Sequence, residues 1–191
     1  MRKIVLASKS LRRKQLLESA DIDFDIIVRE TGETFPEDLP LQEIPVHIAR
    51  NKALAVQSSN VFNRFENNIP ILAADTVVVL DDEIIGKPEN REEAIATLKR
   101  LSGRVHKVIT GVVLLTSGSE ISFAEVTEVS FHPLSEEQIV YYVDTYKPFD
   151  KAGAYAIQEW IGITGIEWIK GDFYNVMGLP ISKVVKILAG F

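Results

Sequence analysis

The sequence predicts an α/β fold of the mixed α+β kind, not a regular doubly wound domain, and three observations carry that expectation. A short apolar run, Ile4-Val5-Leu6, leads through Ser8 and Ser10 straight into helical sequence. Two long β-rich runs, residues 105–116 and 121–132, flank Ser117-Gly118-Ser119 and read as a hairpin. Separate helices with their own capping signals lie between the strands, and hairpins mixed with such helices favour a sheet-based α/β or α+β arrangement. The chain has 191 residues, enough to bury a substantial core. No repeat or clear linker interrupts it, so residues 1–191 are expected to form one domain, its two lobes closely joined.

Taken in order, the first helix runs through Gln15-Leu16-Leu17-Glu18 and stops near Asp21. Phe24-Asp25-Ile26-Ile27-Val28 has strand character, and residues 29–41 form a polar loop. A helix begins near Pro45, a residue tolerated in a first turn, with Val46, Ala49, Ala53 and Val56 at helical spacing. Residues 70–80 make a strongly apolar strand, and Asp81-Asp82 turns it into a return strand, Glu83-Ile84-Ile85. Asn90 caps the next helix, with Glu93 at the capping-box position and Gly103 past its end. After the long hairpin, Ser135 and Gln138 make a second capping box for a helix ending near Tyr146. Short strands at 155–158 and 166–169 precede a last helix from about Pro180.

Composition narrows the function. Without cysteine there are no disulfides or thiolate–zinc sites, and a cytoplasmic location is expected. No apolar run approaches the roughly 18 residues a membrane span needs, and Met1-Arg2-Lys3-Ile4 opens no signal-peptide core. The net charge of −6 argues against a general nucleic-acid binder. Its distribution is uneven: residues 1–14 hold six cations and no acid, while residues 18–43 hold nine carboxylates against Arg29 alone. Cations grip phosphates and carboxylates hold hard divalent ions, so the juxtaposition suits a metal–phosphate site.

The corner at Ala7-Ser8-Lys9-Ser10-Leu11-Arg12-Arg13-Lys14 is the first candidate site. A helix start offers unpaired N–H groups and a positive dipole end, serine suits the cap, and guanidinium groups grip phosphate in a fork. A solvated basic start is the plain alternative. Asp75 is the strongest single catalytic candidate, because it interrupts an apolar strand where an unpartnered carboxylate is costly. It reads as a metal ligand or general base, against a structural Asp bonded to backbone amides. Lys87, in Gly86-Lys87-Pro88, would offer a restrained charge to a phosphate, or else sit on a surface turn. Lys52 borders the apolar helix stripe and either reaches a cleft or snorkels. Glu33 stands in the acidic loop, where a solvated carboxylate is the common case. His47, His106 and His132 show no metal-ligand spacing and read as structural or surface residues.

Together these pieces resemble the Maf family of nucleoside triphosphate pyrophosphatases over nearly the whole chain. The likeness runs in order through Ala7-Ser8-Lys9-Ser10-Leu11-Arg12-Arg13, Glu33, Asn51-Lys52-Ala53 and Ala74-Asp75-Thr76-Val77-Val78. It continues through Gly86-Lys87-Pro88, Leu101-Ser102-Gly103, His106 and Thr110-Gly111-Val112. Lys151-Ala152-Gly153-Ala154-Tyr155-Ala156-Ile157-Gln158 and the run from Gly171 to Pro180 complete it. One departure stands out: the family's first motif usually has proline where this chain has Leu11.

The resemblance implies a two-lobed fold around a long mixed sheet with a central cleft, shared with inosine triphosphatase-like enzymes, and often a homodimer. It implies hydrolysis of a nucleoside triphosphate between the α and β phosphates, with magnesium or manganese as cofactor. Arg12, Arg13, Lys52 and Lys87 would hold the phosphates, Ser8 and Ser10 would support their loop, and Glu33 and Asp75 would bind the metal. Asp75 would also activate the water. The pairs Asp75-Thr76 and Ile157-Gln158 resemble the branch that prefers dTTP and UTP, with Gln158 reading a pyrimidine edge through its amide. Two other readings stand beside this one. They are a nucleic-acid-binding or division-regulating protein without turnover, and a purine-directed pyrophosphatase of similar architecture.

Overall fold

The computed structural model describes residues 3–65 and 69–190; Met1 and Arg2, the latter one of the six early cations, lie outside them. Among the described residues, seven strands form one mixed sheet. Strand β1 (Ile4–Leu6) is followed by helix α1 (Leu11–Ser19), strand β2 (Phe24–Ile26) and helix α2 (Ile44–Gln57). Strands β3 (Ile71–Leu80) and β4 (Glu83–Ile85) then precede helix α3 (Arg91–Leu101) and strands β5 (Val105–Leu115) and β6 (Glu120–Phe131). Helices α4 (Glu136–Tyr146) and α5 (Trp160–Gly165), strand β7 (Ile166–Lys170) and helices α6 (Phe173–Met177) and α7 (Ile181–Leu188) complete the order. The sheet runs β2-β1-β3-β5-β6-β7, with β4 pairing β3 off that path. β1 is parallel to both β2 and β3, while β3–β4 and β6–β7 are antiparallel.

The chain divides into two compact units. The first comprises Met1–Asp75, Thr110–Glu125 and Gly178–Phe191. Its core sets Val46, Ala49, Ala53 and Val56 of α2 against Val5, Ile71, Ala73 and Val113 of the sheet. Alanine on the packed face lets α2 approach the strands closely. Gly111 of β5 carries this furthest: a Cβ there would lie 2.2 Å from the Val46 nitrogen and 2.3 Å from the Pro45 carbonyl carbon.

The second unit comprises Thr76–Ile109 and Val126–Met177. Leu98, Leu101, Phe131, Tyr142 and Tyr155 lie in its core. Helix α4 opens with both halves of the Ser135–Gln138 capping box in place. At α3 the box is displaced by one residue: Asn90 accepts from the Glu93 amide at 2.9 Å, while the Glu93 carboxylate accepts from the Glu89 amide.

Three expectations change. Residues 155–158 form no strand; a 3₁₀ turn at Ala152–Ala154 leads into an irregular segment whose polar groups are met by side chains from other elements. The short helices α5 and α6 carry too little periodicity to stand out in the sequence. The strand expected at 24–28 ends at Ile26, although Ile27 still donates its amide to the Leu6 carbonyl at 3.2 Å.

Candidate active site

In the first unit the site starts where β1 turns into α1. Ser10 takes the N-cap position with an extended backbone, and its hydroxyl accepts from the Arg13 amide at 3.4 Å. Leu11, standing where proline is usual, opens the helix, so the serine cap sets the start without a proline ring. The Ser8 hydroxyl accepts from the Ser10 amide at 3.2 Å and from the Arg13 guanidinium at 3.1 Å.

The basic start divides into two groups. Lys3, Lys9 and Lys14 face carboxylates at the surface, Asp25, Glu30 and Glu18 respectively. Arg13 is buried, and its Nε donates to the Gly178 carbonyl at 2.7 Å. Burial pushes the Arg13 guanidinium below its ordinary pKa, the neighbouring Arg12 charge adds to that, and the charges of Asp75 and Glu33 oppose it. Those two carboxylates therefore lie close enough to act on Arg13.

Asp75 comes from β3, whose side chains alternate between faces. Ile71 and Ala73 pack in the core beneath α2, which puts Asp75 on the same face, two residues beyond Ala73. Both flanks of the strand are buried while Asp75 and Thr76 are half-buried. Lys52 on α2 meets Asp75 there: Nζ donates to Oδ1 at 2.6 Å. Glu33 reaches the same ammonium from the polar loop, at 3.6 Å. The Lys52 and Asp75 side chains retain only 20% and 13% exposure, whereas Glu33 retains 57%. Seven of the residues singled out in the sequence, Ser8, Ser10, Arg12, Arg13, Glu33, Lys52 and Asp75, therefore belong to one unit. Thr76 follows Asp75 in β3 with its side chain on the opposite face.

Lys87 and Gln158 belong to the second unit. Gly86-Lys87-Pro88 leaves β4 and lines a pocket of about 320 Å³ with Glu83, Glu93 and Arg100. The Gly86 carbonyl accepts from the Gly153 amide at 3.1 Å, which ties this segment to the 3₁₀ turn ahead of Gln158. Gly153 has φ +71 and a Cβ there would press on Val78, so glycine is required at that crossing. At Gly86 a Cβ would meet nothing within 4 Å, so the protein's own packing does not demand glycine. Lys87 and Gln158 are both exposed.

Lys151 enters the sequence reading only as the first residue of the stretch ending at Gln158, with no role of its own, yet it is buried. Its ammonium faces Asp150 at 2.8 Å and Glu159 at 3.5 Å. A lysine just before a small-residue run carries no period that would mark it as interior.

Among the described residues no cluster of three or more His, Cys, Asp and Glu side chains would hold a metal by protein ligands alone. The three histidines join no such cluster; His106 is buried and its Nε2 lies 2.7 Å from the Tyr155 hydroxyl. What the first unit offers is two carboxylates converging on one cationic centre, beside a capped helix start that carries two arginines.

A capped helix start with paired arginines, and a lysine bridging a strand aspartate and a loop glutamate, stand together in the first unit of a mixed-sheet α/β protein. The chain belongs to the Maf family, whose family model, described as Maf-like protein, matches residues 3–191. A dTTP/UTP pyrophosphatase of Parabacteroides distasonis is 47% identical over 190 residues, covering 99% of this chain and 96% of that protein. One of Cytophaga hutchinsonii is 50% identical over 182 residues, covering 95% of this chain and 81% of its own length. Another, of Phocaeicola vulgatus, is 47% identical over 183 residues, with 95% and 92% covered. No helix among the described residues is long and apolar enough to cross a membrane.

Proposed function

We propose that this chain hydrolyses dTTP and UTP, and related modified pyrimidine triphosphates, to the monophosphate and pyrophosphate within a cytoplasmic nucleotide pool. The observation that carries the reading is the Lys52 ammonium held by Asp75 at 2.6 Å and Glu33 at 3.6 Å. The relatives' names supply the substrate class.

The donor set fits a divalent cation. Magnesium is commonly held by one or two carboxylates, with substrate phosphates and water filling its other positions, so a third protein ligand is not needed. Asp75 and Glu33 would hold magnesium or manganese, which when bound neutralises phosphate charge.

The chain's own groups account for the rest. Arg12 and the N–H groups at the start of α1 bind phosphate oxygens. Arg13 holds the Ser8 hydroxyl in place beneath them. Lys52 donates to Asp75 and fixes its direction. Asp75 takes a proton from the water that attacks the α phosphorus, the bond to the bridging oxygen breaks, and pyrophosphate leaves with that oxygen. Lys87 supplies positive charge to the departing pyrophosphate, and Gln158 reads the base.

The test is pyrophosphate release from dTTP, UTP, CTP, 7-methyl-GTP and ITP with magnesium or manganese. The expected result is turnover of dTTP and UTP, lost with chelator and reduced at least about 100-fold in Asp75→Asn. A folded protein that turns over none of the five overturns the reading, and ITP as the best substrate redirects it to purines.

A further inference from the structure

The segment that presents Gln158 is held at almost every residue before it. Gly153 donates its amide to the Gly86 carbonyl. The Tyr155 hydroxyl meets His106 at 2.7 Å. Ala156, buried, donates its amide to the Tyr142 hydroxyl at 3.2 Å, and Tyr142 comes from α4 and is itself fully buried. The same hydroxyl donates to the Glu159 carboxylate. Glu159 closes the far end: its amide donates to the Ala156 carbonyl at 3.1 Å, and its own carbonyl accepts from Gly162 as α5 begins. Lys151, at the near end, faces the Glu159 carboxylate at 3.5 Å. One phenol oxygen and one carboxylate thus join the two ends of the loop to its middle. Gly162 sits so close to Ile157 that a Cβ would lie 1.7 Å from the Ile157 oxygen. Residues 153–157 are buried and Gln158 is exposed.

A loop pinned this way has one job a looser loop cannot do, which is to hold a single polar side chain at a fixed place and angle. A side-chain amide discriminates between bases only when its donor and acceptor directions are fixed, because a mobile amide finds partners on any of them. Burying Tyr142 and Lys151 against a half-buried Glu159 is a costly way to fold a surface turn, and the fixed presentation of Gln158 is what the arrangement yields.

We propose that Tyr142, Glu159 and Lys151 are positioning residues for substrate discrimination, acting through the 151–158 loop on Gln158; this rests on the pyrimidine triphosphatase reading above. None of the three touches the phosphates in this scheme. Loosening them changes which nucleotide is bound, and changes the chemical step little.

The experiment measures kcat and KM of the full chain for dTTP and ITP in wild type, Tyr142→Phe and Glu159→Gln, with thermal melting of each. Tyr142→Phe removes the oxygen that serves both Ala156 and Glu159. Glu159→Gln keeps an acceptor for Tyr142 and discards the charge facing Lys151, so it is the milder change. For Tyr142→Phe the expected result is a KM for dTTP raised about tenfold, kcat within about threefold, and a dTTP-over-ITP preference reduced about tenfold. Glu159→Gln moves the same quantities in the same direction by less, and carries the test by itself where Tyr142→Phe does not fold. Folded variants with wild-type KM and preference overturn the proposal. So does a fall in kcat that tracks melting while the preference stays unchanged, since that marks a purely structural network. Failure of the wild type to turn over any nucleotide is a different result, read without any variant, and it removes the function itself along with this inference.

Discussion

Lys52 governs the two carboxylates beside it. An ammonium 2.6 Å from a carboxylate that is only 13% exposed fixes that group's direction. Replacing Lys52 by Met takes the ammonium donor away from the half-buried Asp75 carboxyl and sets an apolar chain beside it, an arrangement costing about 2 kcal/mol of stability, with turnover reduced about 100-fold. Asp75→Asn behaves differently, because its amide oxygen still accepts from Lys52; stability stays near wild type while turnover is lost. Urea unfolding and initial rates on the two variants separate these outcomes. The paired arginines separate in the same way. Arg13 is buried with its Nε on the Gly178 carbonyl, so Arg13→Ala removes a buried hydrogen-bonded charge and lowers stability by about 3 kcal/mol. Arg12, half-buried, is expected to cost less stability than Arg13 when replaced by Ala and to raise KM, as loss of a phosphate contact should. Equal unfolding midpoints for the two variants would contradict this division of roles.

At the scale of elements, α2 is placed by its contact with β5 as much as by its own apolar stripe. A Cβ at Gly111 would fall 2.2 to 2.6 Å from the backbone of Pro45 and Val46, atoms that cannot rotate away. Gly111→Ala is therefore expected to cost about 3 kcal/mol or more, and to lower turnover by shifting Lys52 against Asp75. A denaturant midpoint unchanged from wild type would refute it. In the sequence Gly111 stands out only within Thr110-Gly111-Val112, because a close approach between backbones leaves no periodic mark. What was legible had a local cause. Ser10, Asn90 and Ser135 cap their helices where hydroxyl or amide residues precede helical sequence, and β3 reads as a strand because both its faces are apolar. The misreading at 155–158 has the opposite cause: Tyr155 and Ala156 find their partners in His106 and Tyr142, far along the chain, and not in a neighbouring strand. Helix α6 is capped by Asp172, whose carboxylate accepts from the Tyr174 and Asn175 amides, yet five residues are too few to show a period. The site divides along the same line. Asp75 was legible as a charge in an apolar strand, whereas the pairing of Lys52 with Glu33 depends on how a loop folds back, and Lys151 depends on a carboxylate eight residues away.

For the molecule as a whole, the pH dependence of folding carries the mark of a single buried imidazole. His106 is 1% exposed, stacked on Phe131 and edge-on to Tyr155, with Nε2 on the Tyr155 hydroxyl and a buried Nδ1 that has no hydrogen-bond partner. A second proton would put a charge on a nitrogen facing no acceptor, so burial pushes the pKa down to about 4. Tyr155 does not relieve this, since burial raises its own pKa and keeps it a neutral phenol. The sign follows. In the unfolded chain the imidazole titrates near its ordinary 6.5, so between pH 6.5 and about 4 the unfolded state binds the extra proton. Stability is complete above pH 6.5, falls as pH drops through that window, and is about 2 kcal/mol lower at pH 5 than at pH 8. The carboxylates held below their ordinary values, Glu120, Glu137 and Asp144, stabilise the fold above their ordinary 4.5, 4.5 and 3.8 and lose that contribution only as pH falls below them. Urea unfolding between pH 8 and 4.5 is the measurement, with His106→Gln as the reference chain because its amide carries no titrating proton. The wild-type curve should approach that of the variant as pH falls from 6.5 to 5. Two curves that stay parallel across the window would mean that His106 is protonated as easily in the fold as in the open chain, and that its buried Nδ1 meets solvent.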